Sequence, residues 1–281
     1  MADIAKIKEI RERTGIGFGD CKKALEACDW DVDKAIDHIR QQSAIKAAKK
    51  ADRTAAEGRV AMKIAADGKS GAIVEVNVET DFAARNERFV AFCDTVVDSV
   101  LRDGPTALDG LDSLRKELVQ TIGENVSLRR AERFVANADE GRVSMYLHTT
   151  LVLGTLVEMT KGDEATAKDV AMHVTASEPL VVNSDDLPAS VIAKEREIFE
   201  QQARDSGKPE QIIDRIVEGQ LSKFRAQSCL TEQAFVKDPD QKVGAMLKAR
   251  DAECARFVRY QVGEGIEKRE DNLAAEVEKL L

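Results

Sequence analysis

Ala72-Ile73-Val74-Glu75-Val76-Asn77-Val78-Glu79-Thr80-Asp81-Phe82-Ala83-Ala84 is the stretch on which the reading of this chain turns. Its first eight residues predict a strand. Beyond it, Phe89, Phe92, Cys93, Val96, Val97, Val100 and Leu101 have the spacing of one helical face, so a helix is expected from Asn86 to Leu101. Thr80 to Ala84 is then a strand-to-helix junction, where a loop held by rigid elements tends to carry function. The junction sets a carboxylate beside a large aromatic in a chain with only 4% aromatic residues. Pattern alone leaves two readings open. Either Phe82 packs in the core while Thr80 or Asp81 caps the helix, or the pair points outward.

An internal repeat bears on that choice. Gly141-Arg142-Val143-Ser144-Met145 resembles Gly58-Arg59-Val60-Ala61-Met62 at an offset of 83 residues (141 less 58). Without a gap, the offset sets Gly154 on Gly71, Val157 on Val74 and Glu158 on Glu75, and it carries the Asn86–Leu101 helix onto 169–177, with Met172 opposite Phe89. The middle of the chain therefore reads as two copies of a β-hairpin followed by a helix, which makes the expected fold class α+β. Asp81 falls on Glu164 and Phe82 on Ala165. A unit that needed Phe82 to close its core should need bulk there twice, so the alanine weighs toward an exposed Phe82 without deciding the matter.

Outward from this core, residues 1 to about 40 read as three short helices. The first carries Ile4, Ile7 and Ile10. The second starts near Phe18-Gly19-Asp20, with Asp20 able to cap, and the third follows Asp29-Trp30-Asp31. So small a bundle barely buries a core and suggests a recognition module. Phe18, in a glycine-rich turn, reads equally as a contact residue and as a core plug. Residues 43–57, rich in Ala and Lys, read as a solvated linker with local helix. Toward the C-terminus, Ser184 to Pro188 opens one helix, Ser206-Gly207-Lys208-Pro209 stops it and a second carries Ile212, Ile216, Leu221 and Phe224, an αα-hairpin over 185–229 whose apolar side chains invite dimerisation or docking. Leu230 to Pro239, including Phe235-Val236, reads as an extended connector. Cys254 to Val262 alternates as a strand returning to the core, and Ile266 to Leu281 as a terminal amphipathic helix.

The composition narrows function. A net charge of −9 argues against holding nucleic acid by phosphate neutralisation. Five scattered cysteines without a C-x-x-C pair suit reduced thiols, and His38, His148 and His173 lack a second ligand at metal-binding spacing. There is no long apolar run and no targeting pattern at the N-terminus, so a cytoplasmic location is expected, with no membrane contact. Phosphate-binding loops, dinucleotide fingerprints and nucleophile elbows are missing. His148 stands without a Ser, Cys or Asp partner and reads as a surface or contact residue. The expected class is a multi-module interaction protein that is not an enzyme and has no cofactor.

Thr14-Gly15-Ile16-Gly17-Phe18-Gly19-Asp20-Cys21-Lys22-Lys23-Ala24-Leu25 resembles the N-terminal signature of the elongation factor Ts family, and Val76 to Ala84 resembles its second signature. Ile122-Gly123-Glu124-Asn125-Val126, Ala171-Met172-His173-Val174 and Val262-Gly263-Glu264-Gly265-Ile266 match as well, in order along the whole chain. The resemblance implies a guanine nucleotide exchange factor for elongation factor Tu, in its GDP-bound and nucleotide-free forms. It implies a ubiquitin-associated-like domain at 1–42, a linker at 43–57 and a core subdomain at 58–140. A second subdomain at 141–184 is completed by 230–263, with an inserted coiled-coil hairpin at 185–229 and a C-terminal helical module at 264–281. Thr80, Asp81, Phe82 and Ala83 would form the loop that dislodges Mg²⁺ from the GTPase. Phe18, Lys23, Val126, His148 and Val236 would be further partner contacts. Gly19 departs from the family's pattern beside Phe18. A homodimer through 185–229 and, as the rival function, a non-catalytic adaptor bridging two partners complete the expectations.

Overall fold

The computed structural model describes residues 2–207 and 209–267. The protein mixes helices with small sheets, an α+β arrangement. It divides into two compact units.

The first unit comprises residues 2–61, 74–131 and 260–267. It opens with helices α1 (Ala2–Thr14), α2 (Phe18–Ala27) and α3 (Val32–Lys50). Ile7, Ile10, Ile16, Cys21, Leu25, Ala35, Ile36 and Ile39 make their common core. Asp31 caps α3 by accepting from the N–H groups of Asp33 and Lys34, both at 3.1 Å. The cap expected from Asp20 is not made. Gly17 holds the N-cap position of α2, and the Asp20 carboxylate instead pairs with Lys46 at 3.0 Å. Half of the stretch read as linker is likewise helical: α3 runs to Lys50 with Ser43 and Ala47 buried. Arg40 pairs with Glu117, and the Ser43 hydroxyl donates to Gln120, both on α6 (Asp112–Ile122). A stripe of small residues too sparse to register as amphipathic is enough to pack one helix closely on another.

Strands β1 (Glu57–Ile64), β2 (Ser70–Val78) and β3 (Val126–Val135) form a sheet with β2 at its centre. Helix α5 (Glu87–Asp103) buries Phe89, Phe92, Cys93, Val96, Val97 and Val100, the face its spacing predicts. Strand β3 was not foreseen. Arg129, Arg130, Glu132 and Arg133 fill both of its alternating faces, so it lacks the apolar alternation by which strands are recognised. Those arginines have a structural use. The wholly buried Glu75 carboxylate on β2 receives Arg129 Nη1 at 2.8 Å, Arg130 Nε at 2.6 Å and the Gly263 N–H at 2.8 Å. Arg130 also reaches Glu264 at 2.8 Å and lies over the Tyr260 ring. Gly263, at φ 73°, sits where a Cβ would come within 2.3 Å of the Ala56 carbonyl oxygen.

The second unit comprises 62–73 and 132–259. Strands β4 (Arg142–Leu147) and β5 (Leu153–Lys161) pair antiparallel, Ser144 opposite Val157, and β8 (Glu253–Gln261) lies on the other side of β5. The returning strand expected at Cys254 to Val262 is this β8. Helix α7 (Glu164–Ser177) packs Ala167, Val170, Ala171 and Val174 with Val157, Met159, Leu230, Phe235 and Met246. It begins five residues earlier than the sequence suggested, because Asp163 caps it through the Thr166 N–H at 2.7 Å. Helices α8 (Ala189–Asp205) and α9 (Glu210–Ser228) lie together through Ala203, Ile213, Val217 and Leu221 and leave Ile198 and Ile212 exposed. The connector after them is more ordered than expected. It forms a small antiparallel ribbon of β6 (Ala234–Phe235) and β7 (Asp238–Lys242); α10 (Val243–Ala249) follows, where the sequence places a short helix around Val243–Leu247. The amphipathic helix expected at Ile266–Leu281 falls almost entirely outside the described residues.

Candidate functional site

The strand-helix junction resolves into two capped helices in succession. Thr80 is the N-cap of a single-turn helix, α4 (Asp81–Ala84), and its hydroxyl accepts from the Ala83 N–H at 3.2 Å. Asn86 then caps α5 by accepting from the Arg88 N–H at 2.9 Å. Successive residues of a helix project about 100° apart. Ala83 and Ala84 both turn into the core, so the residue before them is directed away from it. Phe82 is accordingly 81% exposed. The cap of the first reading is present, made by Thr80, but its core phenylalanine is not: the aromatic points outward.

The second unit repeats the strand, the cap and the first helical turn at the offset of 83, after which its helix α7 runs on unbroken where α4 stops and α5 begins. Strand β5 spans Leu153–Lys161 as β2 spans Ser70–Val78, Asp163 caps where Thr80 caps, and Thr166 and Ala167 are buried where Ala83 and Ala84 are. Ala165, in the place of Phe82, is exposed too. The position is therefore outward by construction, and only one of the two junctions puts an aromatic there. A phenylalanine left this open to water contributes almost nothing to its own fold.

The junction is held from behind by residues that the sequence offered only as part of a match. The Glu124 carboxylate accepts from the Thr80 N–H at 3.0 Å and from the Thr80 hydroxyl at 2.8 Å. Asn125 donates its N–H to Glu79 at 2.5 Å, and its side-chain amide donates to the carbonyls of Ala51 and Arg53 at 3.2 and 2.8 Å. Gly123 makes this clasp reachable. It ends α6 at φ 84°, the left-handed conformation in which glycine is unstrained, and turns the chain toward β3. Glu124 lies 44 residues from Thr80, a pairing without any local signature.

The other expected contacts divide between the units. Phe18 is 49% exposed at the first position of α2, as a contact residue requires, and Lys23 on the same helix is also exposed. The turn before them lies against α5. Gly15, at φ 74°, leaves the space in which the Arg88 guanidinium rests, and Arg88 donates to the Thr14 carbonyl at 3.5 Å. Asp81 is half exposed and pairs with Arg85 at 3.0 Å. One expectation needs correction. Val126 is wholly buried at the start of β3, so its side chain is core and offers a partner no surface. Ala83 is buried as well and serves as the pin of α4.

In the second unit His148 is half-buried at the β4–β5 turn, with Nδ1 2.8 Å from the Thr150 hydroxyl oxygen. Val236, between β6 and β7, is 44% exposed. The five cysteines are unpaired, and burial pushes the Cys93 and Cys254 thiols up to about 12, which leaves them protonated and inert. Among the described residues no cluster of three or more His, Cys, Asp or Glu could hold a metal ion, and no helix is long and apolar enough to cross a membrane.

Comparison with known proteins agrees with the motifs. The family model described as Elongation factor TS matches residues 79–264. A protein of Saccharophagus degradans named elongation factor Ts is 49% identical over 276 residues, covering 96% of this chain and 94% of its own. Its namesake from Methylococcus capsulatus is 47% identical over 282 residues, covering 96% and 95%. A third, from Alkalilimnicola ehrlichii, is 48% identical over 281 residues, covering 96% and 95%.

Proposed function

The chain belongs to the elongation factor Ts family, and from that premise we propose that it is a translation elongation factor acting as the guanine nucleotide exchange factor of elongation factor Tu. It binds the GDP complex of the GTPase, sets Phe82 between elements of the partner beside the nucleotide site, and thereby disturbs the bound Mg²⁺. Asp81 is the polar companion of Phe82. Thr80 and Ala83 hold the loop, and Phe18, Lys23, His148 and Val236 add contacts elsewhere. The modules implied by the resemblance stand as part of the same proposal, with the core read as two copies of one unit.

The observation that carries the proposal is the exposed Phe82 on a junction fixed from behind by Glu124 and below by Ala83 and Ala84. An apolar probe on a rigid base has little freedom left to lose on binding, so more of its burial energy appears as affinity.

Exchange then follows from linkage. A factor that binds the nucleotide-free GTPase more tightly than the GDP-bound form weakens GDP by the same ratio. Mg²⁺ bridges the phosphates to such a GTPase, so loosening it removes a large electrostatic anchor of the nucleotide. GTP in excess refills the site and displaces the factor. None of these steps asks for a catalytic group on this chain. Release of fluorescent GDP from elongation factor Tu, followed after mixing with this protein, is expected to accelerate. If the factor binds and release stays at the intrinsic rate, the exchange reading fails and the adaptor reading replaces it.

A further inference from the structure

Val236 meets its partner, in the reading just given, from the short connection between β6 and β7. Three anchors hold it. Phe235 is buried, 2% exposed, in the core of the second unit. Lys237 Nζ reaches Asp169 at 2.5 Å. Between them the Val236 N–H donates to His173 Nδ1 at 3.2 Å. Asp169 and His173 are four residues apart on α7, hence on one face of it, and that face grips the segment on both sides of the valine.

The histidine is itself fully determined. It is completely buried and its Nε2 lies 2.9 Å from Gln233 Oε1. The Gln233 amide nitrogen donates to the carbonyls of Ser177 and Gln227, at 3.2 and 2.5 Å, which leaves its oxygen for the ring. Nε2 therefore carries the proton and Nδ1 is the acceptor that Val236 uses. Burial holds the ring below the usual imidazole pKa, against the Gln233 hydrogen bond, which raises it. The imidazole is thus neutral near pH 7, in the one tautomer that fits. His173 could have served the core as an apolar ring. Both of its nitrogens are used instead, and the donor it fixes is the backbone of an exposed residue.

We propose that His173 is a positioning residue for the Val236 contact, its Nδ1 fixing the Val236 backbone and with it the direction in which the valine side chain meets the partner. The proposal rests on the reading of Val236 as a contact, and the test separates the two. Asn at this position returns an acceptor near the place of Nδ1, whereas Gln returns one near the place of Nε2. Association of the full-length protein with purified elongation factor Tu in its GDP form is measured for V236A, H173N, H173Q and the V236A/H173Q pair. V236A is expected to weaken association about tenfold, the scale of a modest contact residue. H173Q should weaken it to a similar extent, while H173N stays within about threefold of the parent protein, as expected where one hydrogen bond is kept. The pair should be no weaker than V236A alone.

Amide exchange supplies a readout that stability alone does not move: the Val236 N–H should lose protection in H173Q and keep it in H173N. Equal weakening by H173N and H173Q, or full additivity of the pair, overturns the positioning role while leaving the contact intact. An unchanged V236A overturns the contact itself, and the positioning role with it.

Discussion

Replacing Phe82 with alanine separates the two roles that an aromatic at a strand-helix junction can play. A buried phenylalanine side chain removes about 150–250 Å² from water. With the residue 81% exposed, roughly 160 Å² of that is left for a partner to cover, worth ~4 kcal/mol at ~25 cal/mol per Å². The alanine retains some of the contact and the partner's pocket relaxes, so the loss at a hot spot of this kind is about 2–4 kcal/mol. That is roughly a 30- to 700-fold weakening of association.

The fold should barely register the change. Phe82 touches little of its own unit, alanine is the better helix former, and surface substitutions of this kind stay within about 0.5 kcal/mol. Fluorescent GDP release at a series of factor concentrations measures the first effect and calorimetric melting the second. Slow exchange with an unchanged melting temperature is the expected pair. A fall of many degrees in melting temperature with no change in exchange per folded molecule would show that Phe82 is a core residue after all. Unchanged exchange in a stable variant would refute its role as a probe.

Two further changes test the supports. Glu124→Ala removes both acceptors that hold Thr80, a charged pair of bonds worth about 1.5–3 kcal/mol each. The Thr80 and Ala83 amides should exchange faster with solvent and GDP release should slow although Phe82 is present; unaltered protection of both amides would show that the clasp is incidental. Glu75→Ala leaves Arg129 and Arg130 without their buried carboxylate, and removing one partner of such a pair costs about 3–5 kcal/mol. The urea midpoint should fall sharply, and a midpoint equal to that of the parent protein would remove the network from the account of stability.

What could be read from the sequence was what depends on neighbours along the chain. The hydrophobic period over Phe89 to Val100, the hairpins, the offset of 83 and the proline-marked start of the αα-hairpin are all local patterns, and each sits where it was expected. The offset even extends to the caps, Thr80 and Asp163, because each cap joins residues only three positions apart. The motifs of the family carried the resemblance over the whole chain.

The tertiary structure decided what depends on partners far away. Strand β3 is written in arginines because Arg129 and Arg130 meet a buried glutamate 54 and 55 residues earlier, and periodicity has no means of expressing that. Val126 looked like a surface contact and is core, since burial is a property of the neighbours a residue acquires on folding. Phe82 shows the division most clearly. Sequence made it an aromatic at a helix start with two possible directions. Its direction follows from the turn of α4 pinned by Ala83 and Ala84, and its rigidity from a carboxylate that folding brings to Thr80 across 44 residues.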